Sequence, residues 1–134
     1  MTQREREVLC LALIVSTEAR GEPLEGQIAV AWTVRNRVAK PRWWGKSVIE
    51  VCTKPGQYDG YTLAVPRFFS VLKDVAPQHL WIAEGVLDGL LAEPAAVKGA
   101  THYFNRQAVA HVPEWSKKLP RLGQIGNHEF YVEV

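Results

Sequence analysis

Apolar positions crowd the start of the chain. Residues 4–19, with "VLCLALIV" at their centre, run without Gly or Pro, which predicts a buried first helix with Thr2 as its cap. Arg20, Gly21 and Glu22 read as a turn. Pro23 suits the first position of a second helix, where its missing N–H is not needed, and "LEGQIAVAWTVRNRVA" carries that helix to about residue 38. Ile28, Ala31, Trp32 and Val34 give it a packed face, and the small residues Gly26, Ala29 and Ala31 let a neighbouring helix come close. The two helices should form a hairpin.

Beyond them the pattern shortens. "KPRWWGK" (40–46) is a basic, aromatic loop, and Ser47 followed by Glu50 has the capping-box spacing that starts a short helix, "VIEVCT". "KPGQYDGYTL" is punctuated by Pro55, Gly56 and Gly60, so it reads as a loop presenting Gln57, Tyr58 and Asp59 near the surface. A helix over 77–91 follows, with Leu80, Ala83, Val86, Leu87, Leu90 and Leu91 on one side, and Pro94 stops it. "ATHYFN" and "HEFYVEV" alternate as two short strands, with "VPEWSKKLPRLGQIG" as a looped connection between them. The expected class is α+β, mainly α: one domain over 1–134 with a small antiparallel β element.

Composition narrows the function classes. Among 134 residues, 47% are hydrophobic, 22% charged and five are Trp, which describes a folded globule and excludes a disordered chain. A net charge of +2 is too weak to demand nucleic acid as a partner. Cys10 and Cys52 lack CxxC spacing and read as reduced core thiols. None of the four histidines has HxxxH or HxH spacing, so neither metal nor cofactor is expected; His128 reads as a group orienting a neighbour at a site mouth. "VLCLALIV" has the length of a signal-peptide core, but "MTQRERE" before it carries no net positive charge and the run is too short to span a bilayer. The expectation is a chain made in the cytoplasm without a visible signal peptide and without stable membrane insertion.

"STEARGEPLEGQ" (16–27) places three glutamates around a turn. Glu18 alone falls in the last turn of the buried helix, where free carbonyls and the negative dipole end disfavour a second negative charge. With Ile14 and Val15 adding desolvation, its carboxyl should titrate high, as a general acid near neutral pH requires. Glu22 and Glu25 sit where an ionised, structural or solvated role is expected. Glu18 reads equally as a helix-end glutamate paired with Arg20, Arg35 or Arg37, and spacing does not choose between the two.

The segments "EARGEPLEGQIAVAWTVRNRV" (18–38), "KPGQY" (54–58), "GATHYFN" (99–105) and "IGNHEFY" (125–131) resemble, in order, the signature of the cell-wall hydrolase family typified by the spore cortex-lytic enzyme SleB. The resemblance implies a lysozyme-like domain that cleaves peptidoglycan between N-acetylmuramic acid and N-acetylglucosamine as a lytic transglycosylase. Glu18 matches the catalytic glutamate. Gln57 and the "YFN" of Tyr103, Phe104 and Asn105 are similar to the motifs that hold the N-acetyl group and orient the acid, and Tyr58, Trp115 and His128 join them as substrate-binding candidates. Asn36 and Arg37 match an "NR" pair that helix packing explains equally well. In contrast, "RWWGK" and "PRFFSVLKDV" are bulkier than the pattern.

Trp43, Trp44 and Trp115, set among Lys, Arg and Pro, read as ligand-facing, and Trp81 as core. The expected partners are glycan strands of the wall or periplasmic peptidoglycan, acted on by a monomer, with a phage or prophage endolysin as the setting. The alternatives are a hydrolytic muramidase on the same site, a non-catalytic wall-binding domain, and a nucleic-acid-binding module that uses the basic-aromatic clusters.

Overall fold

A computed structural model describes residues 1–58 and 75–134; Asp59 and most of the "PRFFSVLKDV" stretch lie outside the described residues. Helix α1 spans Gln3–Ala19, and Thr2 caps it by accepting from Glu5 N at 3.0 Å. The five consecutive residues Leu11 to Val15 are all buried, so the middle of this helix is enclosed on every side, as an apolar run without a polar face demands. It packs against α2 (Leu24–Ala39), α3 (Val48–Thr53) and α4 (Pro77–Leu87). An Arg4–Asp88 ion pair ties the start of α1 to the end of α4.

Pro23 is the N-cap of α2 and not its first residue, so the helix starts at Leu24, one position later than expected. Ser47 caps α3, its Oγ accepting from Glu50 N and donating to Glu50 Oε2, both at 3.2 Å. Helix α4 ends at Leu87 instead of 91. Gly89 at φ +75° lets Leu90 N donate to Gly85 O (2.8 Å) and Gly89 N to Val86 O (3.2 Å), the paired closure of a Schellman motif. Leu90, past that stop, is exposed instead of sharing the apolar face of the helix.

Two 3-10 turns, Ala95–Val97 and Glu114–Lys117, flank a sheet of three strands where two were expected. Strand β1 is His102–Asn105, β2 is Arg121–Ile125 and β3 is His128–Tyr131, all antiparallel in the order β1-β3-β2. The stretch "RLGQI", read as loop, is β2. Gly123 and a register shift between Arg121 and Gly123 remove the clean alternation that announces a strand. A two-residue Gly126–Asn127 link joins β2 to β3, with Gly126 at φ +58°, the glycine-first geometry of a tight hairpin turn. The two-layer result, mainly helical with a small antiparallel sheet, is the lysozyme-like α+β class expected.

Two tryptophans exchange the roles expected of them. Trp44 is fully buried, its indole N–H donating to Arg37 O (2.9 Å) and Lys40 O (3.1 Å), while Trp81 on α4 is 55% exposed. Trp44 lies in a loop that folds back onto α2, whereas Trp81 falls between half-buried Leu80 and buried Ile82 on the outer side of its helix. Cys10 and Cys52 are both buried in the core, and burial pushes the Cys52 thiol well above the usual range.

Candidate active site

The C-terminal end of α1, the turn after α3, strand β1 and the start of β3 enclose a cleft of about 640 Å³. Glu18, half-buried in the last turn of α1, lines it together with Gln57, Tyr58, Tyr103, Asn105, Trp115 and His128. These are the seven residues singled out from the sequence. They come from five separate segments, and the tertiary fold brings all of them to one wall-lined space. Thr17, Arg37, Trp43, His102, Phe104 and Glu133 line it as well.

Alternation along β1 sorts the wall into two groups. Tyr103 and Asn105 face the side where the Tyr103 ring meets His128 (5.0 Å), Phe130 (5.8 Å) and Tyr58 (6.4 Å). His102 and Phe104 face the other side, with His102 against Trp115 (4.9 Å), Trp44 (6.1 Å) and Trp43 (6.3 Å). β1 is an edge strand, so the cleft reaches both sides of it.

Tyr58 departs from the expected surface position: it is 1% exposed, with its hydroxyl 3.1 Å from Thr33 Oγ1. Burial raises its pKa, the neighbouring Arg37 cation opposes that, and the Glu18 carboxylate adds to the rise, so Glu18 and Tyr58 share one electrostatic environment. Tyr58 therefore backs the cleft from the core, with its hydroxyl committed to Thr33. Trp115 is half-buried and packs its ring over Phe104 (5.8 Å) and Tyr131 (5.3 Å), closing the far side of the sheet. Asn105 Oδ1 accepts from Gln107 N at 3.0 Å and closes the turn after β1.

The "NR" pair of α2 is structural support for the same cleft. Asn36 Nδ2 donates to Ala100 O (2.9 Å) and to Glu93. Arg37, 4% exposed, donates Nε to Thr101 O (2.7 Å) and Nη1 to Gln57 Oε1 (3.4 Å), with its guanidinium 5.1 Å from the Trp44 ring centre and 5.3 Å from that of Tyr58. A buried cation held by ring faces thus fixes Gln57 and anchors the start of β1. Arg35 is also committed elsewhere, donating to Val86 O at 2.7 Å.

Glu22, expected to be structural, clamps the hairpin that carries His128. Its carboxylate accepts from Asn127 N and Asn127 Nδ2, both at 2.9 Å, and lies 3.9 Å from His128 Nδ1. Burial lowers the His128 pKa, against the pull of Glu22. On the far face of β3, Glu129 accepts from Arg106 (2.8 and 3.0 Å), Tyr131 (3.0 Å) and Arg121 (3.4 Å). The Arg106 hydrogen bonds hold its carboxyl down at about 2. Among the described residues no three His, Cys, Asp or Glu side chains gather as a metal site would require, and no helix is long and apolar enough to cross a membrane.

Sequence reasoning missed Glu133 and the cleft-facing role of His102. Glu133 lies two residues past the last strand, and its contacts are with residues more than thirty positions away in the chain, so no local signal announces it.

Comparison with known proteins places this geometry. The chain is 31% identical over 130 residues to the spore cortex-lytic enzyme of Halalkalibacterium halodurans, matching 94% of this chain and 34% of that protein. It is 30% identical over 133 residues to the spore cortex-lytic enzyme of Oceanobacillus iheyensis, matching 94% of this chain and 41% of that one. The chain therefore spans between a third and two fifths of the length of these curated relatives. Its fold superimposes on the catalytic domain of the germination-specific lytic transglycosylase SleB from Bacillus anthracis with a TM-score of 0.76 and 25% identity, covering 98% of this chain and 96% of that one. The sequence profile of the cell wall hydrolases matches residues 21–131, which span the whole sheet and all of the cleft lining except Thr17, Glu18 and Glu133, and the chain belongs to the cell wall hydrolase family.

Proposed function

We propose that this protein cleaves the glycan strand of peptidoglycan between N-acetylmuramic acid and N-acetylglucosamine, as a lytic transglycosylase with Glu18 as its single catalytic acid. The observation that carries the proposal is the convergence of Glu18 with Gln57, Tyr103, Asn105 and His128 on one cleft. Glu18 protonates the glycosidic oxygen as the C1–O bond breaks. The same carboxylate, now ionised, takes the proton from the muramyl 6-hydroxyl as that oxygen closes on C1, giving an anhydro ring and consuming no water. Gln57, held by Arg37, and the amide NH2 of Asn105 pair with the acetamido group, while Tyr103 and Trp115 supply ring surface for the sugar, the buried Tyr58 supports Tyr103 from behind and His128 backs Tyr103.

The test is Glu18→Gln, which keeps shape and hydrogen bonding but removes the titratable proton. Loss of general acid catalysis should cut wall solubilisation by about 10²- to 10⁴-fold. Lysis at near wild-type rate would refute the assignment, leaving a non-catalytic wall-binding domain. A hydrolytic muramidase is the second reading, favoured by one observation: Glu133 adds another carboxylate to the same cleft. Mass spectrometry of the digest separates the two, because anhydro and reducing ends differ by one water.

We extend the proposal to a monomeric endolysin that acts on the wall without nucleic acid as a partner. Its expression in a host should lyse cells only when a membrane-permeabilising protein is supplied, and added DNA or RNA should leave the lysis of purified walls unchanged.

A further inference from the structure

Trp43 is 47% exposed at the wall of the cleft, yet its orientation is determined from several sides. Its indole N–H donates to Glu133 Oε2 at 3.3 Å, the Trp44 ring meets it edge-on at 5.3 Å, and the Arg37 guanidinium lies 5.6 Å from its ring centre. Glu133 is itself pinned. Its backbone N–H donates to Thr101 Oγ1 (2.8 Å), and Arg42 donates to Glu133 Oε2 (3.4 Å) and to Val134 O (2.8 Å). A large aromatic ring that is half exposed and backed by fixed partners is a preorganised platform, because little rotamer freedom is left to lose on binding.

The polar groups beside that ring are equally specific. Thr101 Oγ1 accepts from Glu133 N and lies 2.9 Å from His102 Nδ1; in the tautomer in which Thr101 donates to Nδ1, the imidazole N–H stands at Nε2. Nε2 stands 3.9 Å from Glu133 Oε1, too far for a direct hydrogen bond and close enough for one oxygen to bridge. A hydroxyl that donates to Oε1 and accepts from Nε2 fits this gap. Burial and the Arg37 cation hold the His102 pKa down at about 4, so the imidazole is neutral near pH 7, as that pattern needs.

We propose that Trp43, Glu133 and His102 form a second saccharide subsite, on the opposite side of β1 from Tyr103 and Asn105, which takes an N-acetylhexosamine ring of the glycan strand away from the bond being cleaved. The subsite rests on the glycan-cleaving activity proposed above. The sugar's apolar face stacks on the indole, and one of its hydroxyls bridges Glu133 and His102. The subsite adds affinity for longer strands and leaves short fragments unaffected.

The experiment measures binding of N-acetylglucosamine oligomers of increasing length, from the disaccharide to the hexasaccharide, by calorimetry in a Glu18→Gln background. Trp43→Ala, Trp43→Phe and Glu133→Gln are compared with that parent, and wall lysis is followed with Glu18 intact. Trp43→Ala should weaken the longest oligomer by about 3- to 10-fold and leave the disaccharide unchanged, with Trp43→Phe recovering part of the loss. With Glu18 intact, Trp43→Ala should raise KM for walls more than it lowers kcat. Glu133→Gln should weaken long oligomers in the same way, because with its carbonyl kept on Trp43 and Arg42 the amide puts NH2 in place of Oε1, which no longer accepts the bridging hydroxyl. Equal affinities of the Trp43→Ala variant and its parent at every length overturn the subsite while leaving the proposed activity standing, provided wild-type protein lyses walls and Glu18→Gln does not. Absence of both oligomer binding and wall lysis in the wild type overturns the activity and the subsite together.

Discussion

Replacing Glu22 with Ala should loosen the hairpin that carries His128. The Glu22 side chain is 8% exposed and accepts two hydrogen bonds of 2.9 Å from Asn127, one from backbone and one from side chain. A hydrogen bond to a charged group contributes about 1.5–3 kcal/mol, and Asn127 is exposed enough for water to recover part of it, so the loss should be about 2–4 kcal/mol. For a chain of this size each kcal/mol lowers Tm by about 3–5 °C, which puts the fall at about 6–20 °C. Asn127→Ala removes only the side-chain bond and should cost about 1 kcal/mol, with a coupling to Glu22→Ala of similar size in a double-mutant cycle. Urea and thermal unfolding followed by circular dichroism measure all three variants. A Tm shift below about 2 °C for Glu22→Ala, or additivity of the pair within about 0.3 kcal/mol, would refute the clamp.

Trp44→Ala should cost about 3–5 kcal/mol because it empties a fully buried site and orphans two carbonyl contacts, whereas Trp81→Ala, at a half-exposed position, should stay within about 1 kcal/mol in the same unfolding assay. Glu129→Gln should destabilise the protein at pH 7. Because the folded pKa of Glu129 is depressed to about 2 from an ordinary 4.5, its stabilisation is present above pH 4.5 and is lost as pH falls toward 2, so the gap between variant and wild type should close over that window in unfolding midpoints taken at several pH values.

Much of the helical part was legible in the chain because its signals are local. An apolar run without breakers makes α1, Thr2 and Ser47 cap the helices they precede, and Pro23 opens α2 to within one residue. Where the reading failed, a competing local device was overlooked: the Asp88–Gly89–Leu90 closure that ends α4, and the Gly126–Asn127 turn that makes "RLGQI" a strand. Both are short glycine motifs that a period-based search passes over. The roles of Trp44 and Trp81 were exchanged for a different reason. Flanking residue types say which face is polar on average, but not which loop folds inward.

Residue types along the chain thus determined the class of fold and the candidate side chains, since hydrophobic period, caps and short motifs act over a few residues. Their convergence was decided only by tertiary structure. Glu18, Gln57, Tyr103 and His128 belong to segments separated by tens of residues, and Arg37, Glu22 and Glu133 position them through contacts of 20, 105 and 32 residues' separation. Such contacts form because the buried α1 draws helices and sheet together, and their geometry follows from packing across the whole core, which no local stretch of sequence encodes.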